Sequence, residues 1–142
     1  WGPFREPAAP RLRDTTEAII VAHKGAPSLT IPDHLFLHDR SGRYTRCLED
    51  ADFFMELAQD HWVVAPESAA RVGHPAPFPV ALVERLAKLY AYEGARVLDP
   101  FAGSGTVGVA ALRLGLCAEL VDIDAAYCCL AKERCEDGQQ RA

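Results

Sequence analysis

Three groups of residues in this chain have the types and spacing that chemistry needs. The first is Gly103-Ser104-Gly105-Thr106-Val107-Gly108, which fits the pattern G-x-G-x-x-G. Glycine lets the main chain come close to a ligand. A helix that opens on such a loop turns free N–H groups toward a carboxylate or phosphate. The second is a pair of carboxylates flanking that loop, Asp99 ahead of it and Asp122 19 residues after Gly103. A carboxylate in the later position can accept hydrogen bonds from both hydroxyls of a ribose. The third is the basic trio Arg40, Arg43 and Arg46. Such a trio either contacts phosphates or forms an ordinary solvated surface.

Ordinary elements must position the loop. His74-Pro75-Ala76-Pro77-Phe78-Pro79 cannot be helical, because proline recurs at every second residue. Helix is expected straight after it: Val80, Val83, Leu86, Leu89 and Tyr90 share a face, Glu84, Arg85 and Lys88 turn outward, and Gly94 closes it. Ala95–Asp99 reads as a strand, Phe101–Gly105 as the glycine loop, and Thr106–Leu114 as a helix closed by Gly115. Leu116–Asp122 reads as a second strand, and Asp124 caps a last helix through about Cys135. The fold class is therefore α/β, a βαβα unit with parallel strands and a right-handed crossover. Strand alternation sets residues 118, 120 and 122 on one face, which favours Asp122 over Glu119 or Asp124 as the loop's acidic partner.

Upstream the pattern is less regular. Pro3, Pro7 and Pro10 with Arg5, Arg11 and Arg13 make an irregular basic arm. Ala18-Ile19-Ile20-Val21-Ala22 has the look of a buried strand, bounded by Gly25 and Pro27. Residues 26–60 keep no clean period, apart from a short helix expected near Glu49–Gln59. Trp62-Val63-Val64-Ala65 is a second short strand candidate.

Which ligand would such a loop hold? A nucleoside-triphosphate loop needs Gly-Lys-Ser/Thr, and no lysine stands here. A dinucleotide site usually sets its first glycine directly after the strand, whereas Asp99-Pro100-Phe101-Ala102 intervenes. Asp99 would repel a pyrophosphate and attract an amino acid's ammonium group. S-adenosylmethionine carries that ammonium, a ribose for Asp122 and an adenine for an apolar wall. It is the expected cofactor, with Asp99, Phe101, Ala102, Gly103, Ser104, Gly105, Thr106 and Asp122 as its expected contacts.

Asp99-Pro100-Phe101-Ala102-Gly103-Ser104-Gly105-Thr106, preceded by His74-Pro75-Ala76-Pro77-Phe78-Pro79, resembles the amino-group DNA methyltransferases that modify adenine N6 or cytosine N4. The match is to the subgroup whose catalytic half precedes the cofactor half. The resemblance implies a Rossmann-like methyltransferase fold. It adds His74, Ala76 and Phe78 as cofactor contacts and matches Tyr127 to a family tyrosine. It also likens Arg13–Val21 to the strand before the target-recognition region and Trp62 to the tryptophan after it. The implied division is 1–25 as arm and strand, 26–61 as target-recognition segment, and 62–142 as the S-adenosylmethionine-binding half. The implied activity is methyl transfer to an exocyclic base amine of double-stranded DNA, in a restriction–modification or orphan modification system.

One departure limits this. The family's catalytic motif is Asp, Asn or Ser followed by Pro-Pro and an aromatic residue, and this sequence has no Pro-Pro. The motif is expected upstream of Trp1, on the same polypeptide or a separate chain, and no catalytic residue is assigned here. Methyl transfer to RNA or a small molecule, and a non-catalytic cofactor-binding or DNA-recognition subunit, stay open as alternatives. An NAD-dependent oxidoreductase would rest on the glycine pattern alone.

Composition sets the outer bounds. The chain has 142 residues, 49% hydrophobic and 25% charged, which suits one domain with a real core. No apolar run reaches the roughly 20 residues of a membrane helix, and no signal peptide is expected. The net charge of −5 is not that of a strong nucleic-acid binder. Residues 1–46 are nevertheless basic, with seven Lys/Arg against five Asp/Glu. Five cysteines, without a C-x-x-C pair, suggest reduced thiols in a cytoplasmic protein rather than disulfides or zinc. His34 and His38 have a metal-pair spacing, but Pro32 opposes the helix they would need, so no metal site is expected.

Overall fold

The computed structural model describes residues 16–22, 24, 36–38, 44–46, 56–92 and 94–140. Its centre is the expected unit. Strand β3 (Arg96–Asp99), helix α3 (Thr106–Arg113), strand β4 (Cys117–Leu120) and helix α4 (Ala125–Gln140) follow one another. β3 and β4 pair in parallel, with Arg96 opposite Cys117 and Asp99 opposite Leu120. Ahead of them lie an antiparallel pair, β1 (Phe36–His38) and β2 (Tyr44–Arg46), and two helices, α1 (Ala69–Val72) and α2 (Val80–Tyr90).

Local chemistry explains the ends of these elements. Ser68 caps α1 by accepting the Arg71 N–H, and Gly73 stops it in a left-handed conformation. Pro79, extended and lacking an N–H, hands over to α2, whose last turn closes when the Ala91 N–H donates to Ala87 O at 2.7 Å. α2 thus ends at Tyr90, ahead of the expected stop at Gly94. That glycine serves the next turn instead, its N–H donating to Gly115 O at 3.0 Å. Asp124 starts α4 by accepting the Ala126 N–H at 2.8 Å. The helix continues past the expected Cys135 because no proline stops it.

Alanines make up half of the buried apolar residues among those described, beside Leu57, Val72, Leu89, Val109 and Leu116. Ala91, Ala111 and Leu116 are buried together, packed by Ala87, Ala95, Val97 and Leu114. Gly108, Val109, Ala110 and Ala111 let α3 lie close to its neighbours. A Cβ on Gly108 would sit 2.6 Å from Cys135 Sγ and 2.7 Å from Leu120 Cδ1. Between α3, β4 and α4 remains a cavity of about 300 Å³, lined by residues such as Leu112, Leu120, Lys132 and Cys135. None of the expected cofactor contacts lines it.

Two expected strands do not form. Residues 16–22 are without regular structure, and Ile20 is 90% exposed. Residues 62–65 are likewise irregular, with Val63 86% exposed. β-branched residues favour a strand only where neighbours pair with them and cover them. Neither segment has a strand partner among the described residues. Trp62 is fastened instead by its indole N–H, which donates to Leu57 O at 3.0 Å, and by Arg85 of α2 over its ring. Glu56 and Leu57 are helical, and Leu57 is buried. The rest of the helix expected near Glu49–Gln59 falls mostly outside the described residues.

Candidate functional site

β3 and β4 deliver the loop and the acidic residue to the same end of the sheet. Beyond the assigned strands the ladder continues: the Val121 N–H donates to Asp99 O at 2.9 Å, and the Ala102 N–H to Val121 O at 2.9 Å. This zipper sets Asp122 beside Gly103. The Gly103 N–H donates to Asp122 Oδ2 at 2.7 Å, and the Asp124 N–H to Asp122 Oδ1 at 2.9 Å. These two donors, the Asp124 N–H most, hold the Asp122 carboxyl below its usual range, and the nearby His74 adds to the effect.

Asp99 ends β3, and its Oδ1 accepts the Phe101 N–H at 3.1 Å, which tightens the turn into the loop. Phe101 is 86% exposed, whereas Ala102, Ser104 and Thr106 are buried. The hydroxyls of Ser104 and Thr106 lie 3.5 Å apart. The loop turns on Gly103 and Gly105, with φ of 48° and 74°.

What these glycines make room for is protein. A Cβ on Gly103 would lie 2.9 Å from His74 Nε2, and one on Gly105 would lie 2.7 Å from Ala131 Cβ. Their small size therefore seats the His74 ring and α4 against the loop, before any ligand is considered.

His74 lies against the loop, beside Gly103. Its ring meets Tyr127 of α4 edge to face, with centroids 4.7 Å apart, and its Nδ1 accepts the Ala76 N–H at 3.3 Å. Ala76 and Phe78 stand exposed in the irregular segment that follows His74. Arg40 and Arg43 lie outside the described residues, and Arg46 closes β2. Among the described residues no group of three His, Cys, Asp or Glu could hold a metal ion.

Two contributors on α4 escaped the sequence reading. Ala131 packs on Gly105, and Arg134 donates from Nη1 to Ser104 O at 2.5 Å. With Tyr127 they recur at spacings of four and three, one face of a helix. That period was the signal available for finding them.

The chain is similar to known proteins. A family model described as DNA methylase, of the N6/N4 methyltransferases, matches residues 2–133. The type II methyltransferase M.ScaI of Streptomyces caespitosus is 39% identical over 69 residues, 49% of this chain and 23% of that protein. M2.DpnII of Streptococcus pneumoniae is 43% identical over 63 residues, 44% of this chain and 24% of its own length. A structure of TTHA0409 from Thermus thermophilus, named as a DNA modification methylase and complexed with S-adenosyl-L-methionine, superimposes with a TM-score of 0.54. It is 37% identical, over 63% of this chain and 34% of that one. The chain thus spans about a quarter of the length of the curated relatives it matches. With the family model covering nearly its whole length, the chain belongs to the N6/N4 DNA methylase family.

Proposed function

We propose that this chain supplies the methyl-donor half of a site-specific DNA methyltransferase, acting on adenine N6 or cytosine N4. The observation that carries the reading is the Gly103–Asp122 hydrogen bond, which joins the glycine loop to the acidic strand end. The residues fit S-adenosylmethionine. Asp99 offers a carboxylate to an ammonium group. Asp122 uses one lone pair on each oxygen for a main-chain N–H, so the others can still accept from ribose hydroxyls. The exposed Phe101 and Ile123 offer apolar surface for an adenine. His74, Ala76 and Phe78 would line the methionine end.

When bound, the cofactor supplies an electrophilic methyl group. The residues of this chain hold and orient it, and they are assigned no proton transfer. The base amine is a weak nucleophile that must be flipped out and held in line, work that rests on positioning and electrostatics. We assign that work to a catalytic half bearing the Pro-Pro motif, on the same polypeptide or a separate chain. The 26–61 segment, with Arg40, Arg43 and Arg46, is assigned to target recognition on double-stranded DNA. No helix among the described residues is long and apolar enough to cross a membrane. The free thiols of Cys117, Cys128, Cys129 and Cys135 suit a reducing, cytoplasmic setting.

Calorimetric titration with S-adenosylmethionine and with NAD tests the donor site, with heat of binding expected for the first alone. Transfer of labelled methyl to duplex DNA, with and without a supplied catalytic half, tests the division of labour. Full transfer by this chain alone would refute it.

A further inference from the structure

Arg134 stands outside the patterns that pointed to the loop, yet its guanidinium reaches it. The Ser104 carbonyl accepts from Arg134 Nη1 at 2.5 Å, across 30 residues of sequence. That carbonyl shares a peptide plane with the Gly105 N–H, and in a trans peptide the two point opposite ways. The Gly105 N–H donates to Ala102 O at 2.7 Å. The plane that leads into α3 is therefore pinned at both ends, by α4 on one side and by the loop itself on the other. Two peptides earlier, Asp122 pins the Gly103 N–H.

Arg134 is half-buried, and burial works against its charge, while nearby Glu67 favours it. Glu67 in turn pairs with Arg71 of α1. Arginine stays protonated, and a charged donor makes a stronger bond to a carbonyl than a neutral one.

We propose that Arg134 is a positioning residue for the methyl-donor site: its hydrogen bond to the Ser104 carbonyl sets the peptide plane that aims the first turn of α3 at the ligand. This rests on the reading of the loop as the S-adenosylmethionine site. Arg134 acts through the Ser104 carbonyl and need not touch the ligand.

The test uses the full chain with Arg134→Met, which keeps most of the apolar stem and deletes the donors, and Arg134→Gln, which keeps a shorter, neutral donor. The first readout is the amide NMR signals of Gly105 and Thr106 without ligand. The second is calorimetric affinity for S-adenosylmethionine. Both variants are expected to move the two amide signals and to weaken affinity about tenfold. Arg134→Met with unmoved signals and wild-type affinity would mean that the stem only packs, and the proposal falls. If Arg134→Met does not fold, Arg134→Gln decides in the same way. If the unaltered chain fails to bind S-adenosylmethionine, the donor-site reading falls, and the amide signals alone decide whether Arg134 sets the loop.

Discussion

The Gly103 N–H and the Asp122 carboxylate, 19 residues apart in sequence, meet at 2.7 Å. This bond ties the first turn of the glycine loop to the end of the neighbouring strand. It also gives Asp122 a structural duty besides any contact with ribose. Asp122→Asn keeps the shape but sets an amide N–H₂ against one of two main-chain donors. Melting temperature is expected to fall, and calorimetric affinity for S-adenosylmethionine to drop about tenfold. Wild-type affinity in the variant would remove Asp122 from the site.

The same carboxyl makes a pH prediction. Its folded pKa lies below the ordinary 3.8, so ionised Asp122 stabilises the fold wherever the unfolded chain is also ionised. That contribution is complete above 3.8 and is lost as pH falls through the lower folded value. The stability gap between wild type and Asp122→Asn, measured by urea unfolding, should be flat near neutrality and shrink only below about pH 4. A gap that closes between pH 6 and 7 would point to a different group.

Gly105→Ala is expected to be far more damaging than its size suggests. Its φ of 74° is strained for alanine, and the new Cβ would lie 2.7 Å from Ala131 Cβ and 2.8 Å from Ala131 Cα. The cost should be about 2–4 kcal/mol, from left-handed strain plus overpacking. Ala131→Gly alone should cost about 1 kcal/mol through helix propensity. In that background the 2.7 Å contact with the Ala131 Cβ is gone but the 2.8 Å approach to its Cα remains, so Gly105→Ala should cost less than in the wild type yet more than the strain of about 1–2 kcal/mol alone. Additive losses in denaturant melts would mean that α4 shifts freely and does not press on the loop.

His74 and Tyr127 should be coupled. Their rings meet at 4.7 Å with an interplanar angle of 63°, and the same imidazole fills the space beside Gly103. A double-mutant cycle of His74→Ala and Tyr127→Leu should show about 0.5–1.5 kcal/mol of coupling. Zero coupling would mean that the His-Pro segment docks on the loop without help from α4.

How much of this could be read from the residues follows from where each signal resides. The βαβα unit was legible because its marks are local: Asp124 as a cap, Gly115 as a stop, and apolar runs of strand and helix length. The strand ends were less so. β4 stops at Leu120, because Val121 and Asp122 turn to serve the loop. Ile19–Val21 misled because β-propensity reflects cover and pairing that sequence does not display. Arg134 was hidden among Lys132, Glu133 and Glu136, where a charge looks like ordinary solvated surface. Its partner is a main-chain carbonyl, so the one mark it left in the residues was its helical spacing from Tyr127 and Ala131.

The uncovered face of the β3–β4 sheet carries the last prediction. Leu98 and Val121 are 62% and 48% exposed, and Arg96, Cys117 and Glu119 share that side. Parallel sheets are normally covered on both faces, since each strand is apolar on both. Leu98→Thr and Val121→Thr remove side chains already in water, so each should change the stability of this chain by no more than about 0.5 kcal/mol. Their effect should appear when the proposed catalytic half is supplied. Co-elution with that half on size exclusion should weaken, and the loss of dye binding to exposed apolar surface on mixing should shrink. If both variants associate as the wild type does, the proposed catalytic half joins through another surface, and the exposure of Leu98 and Val121 needs another cause.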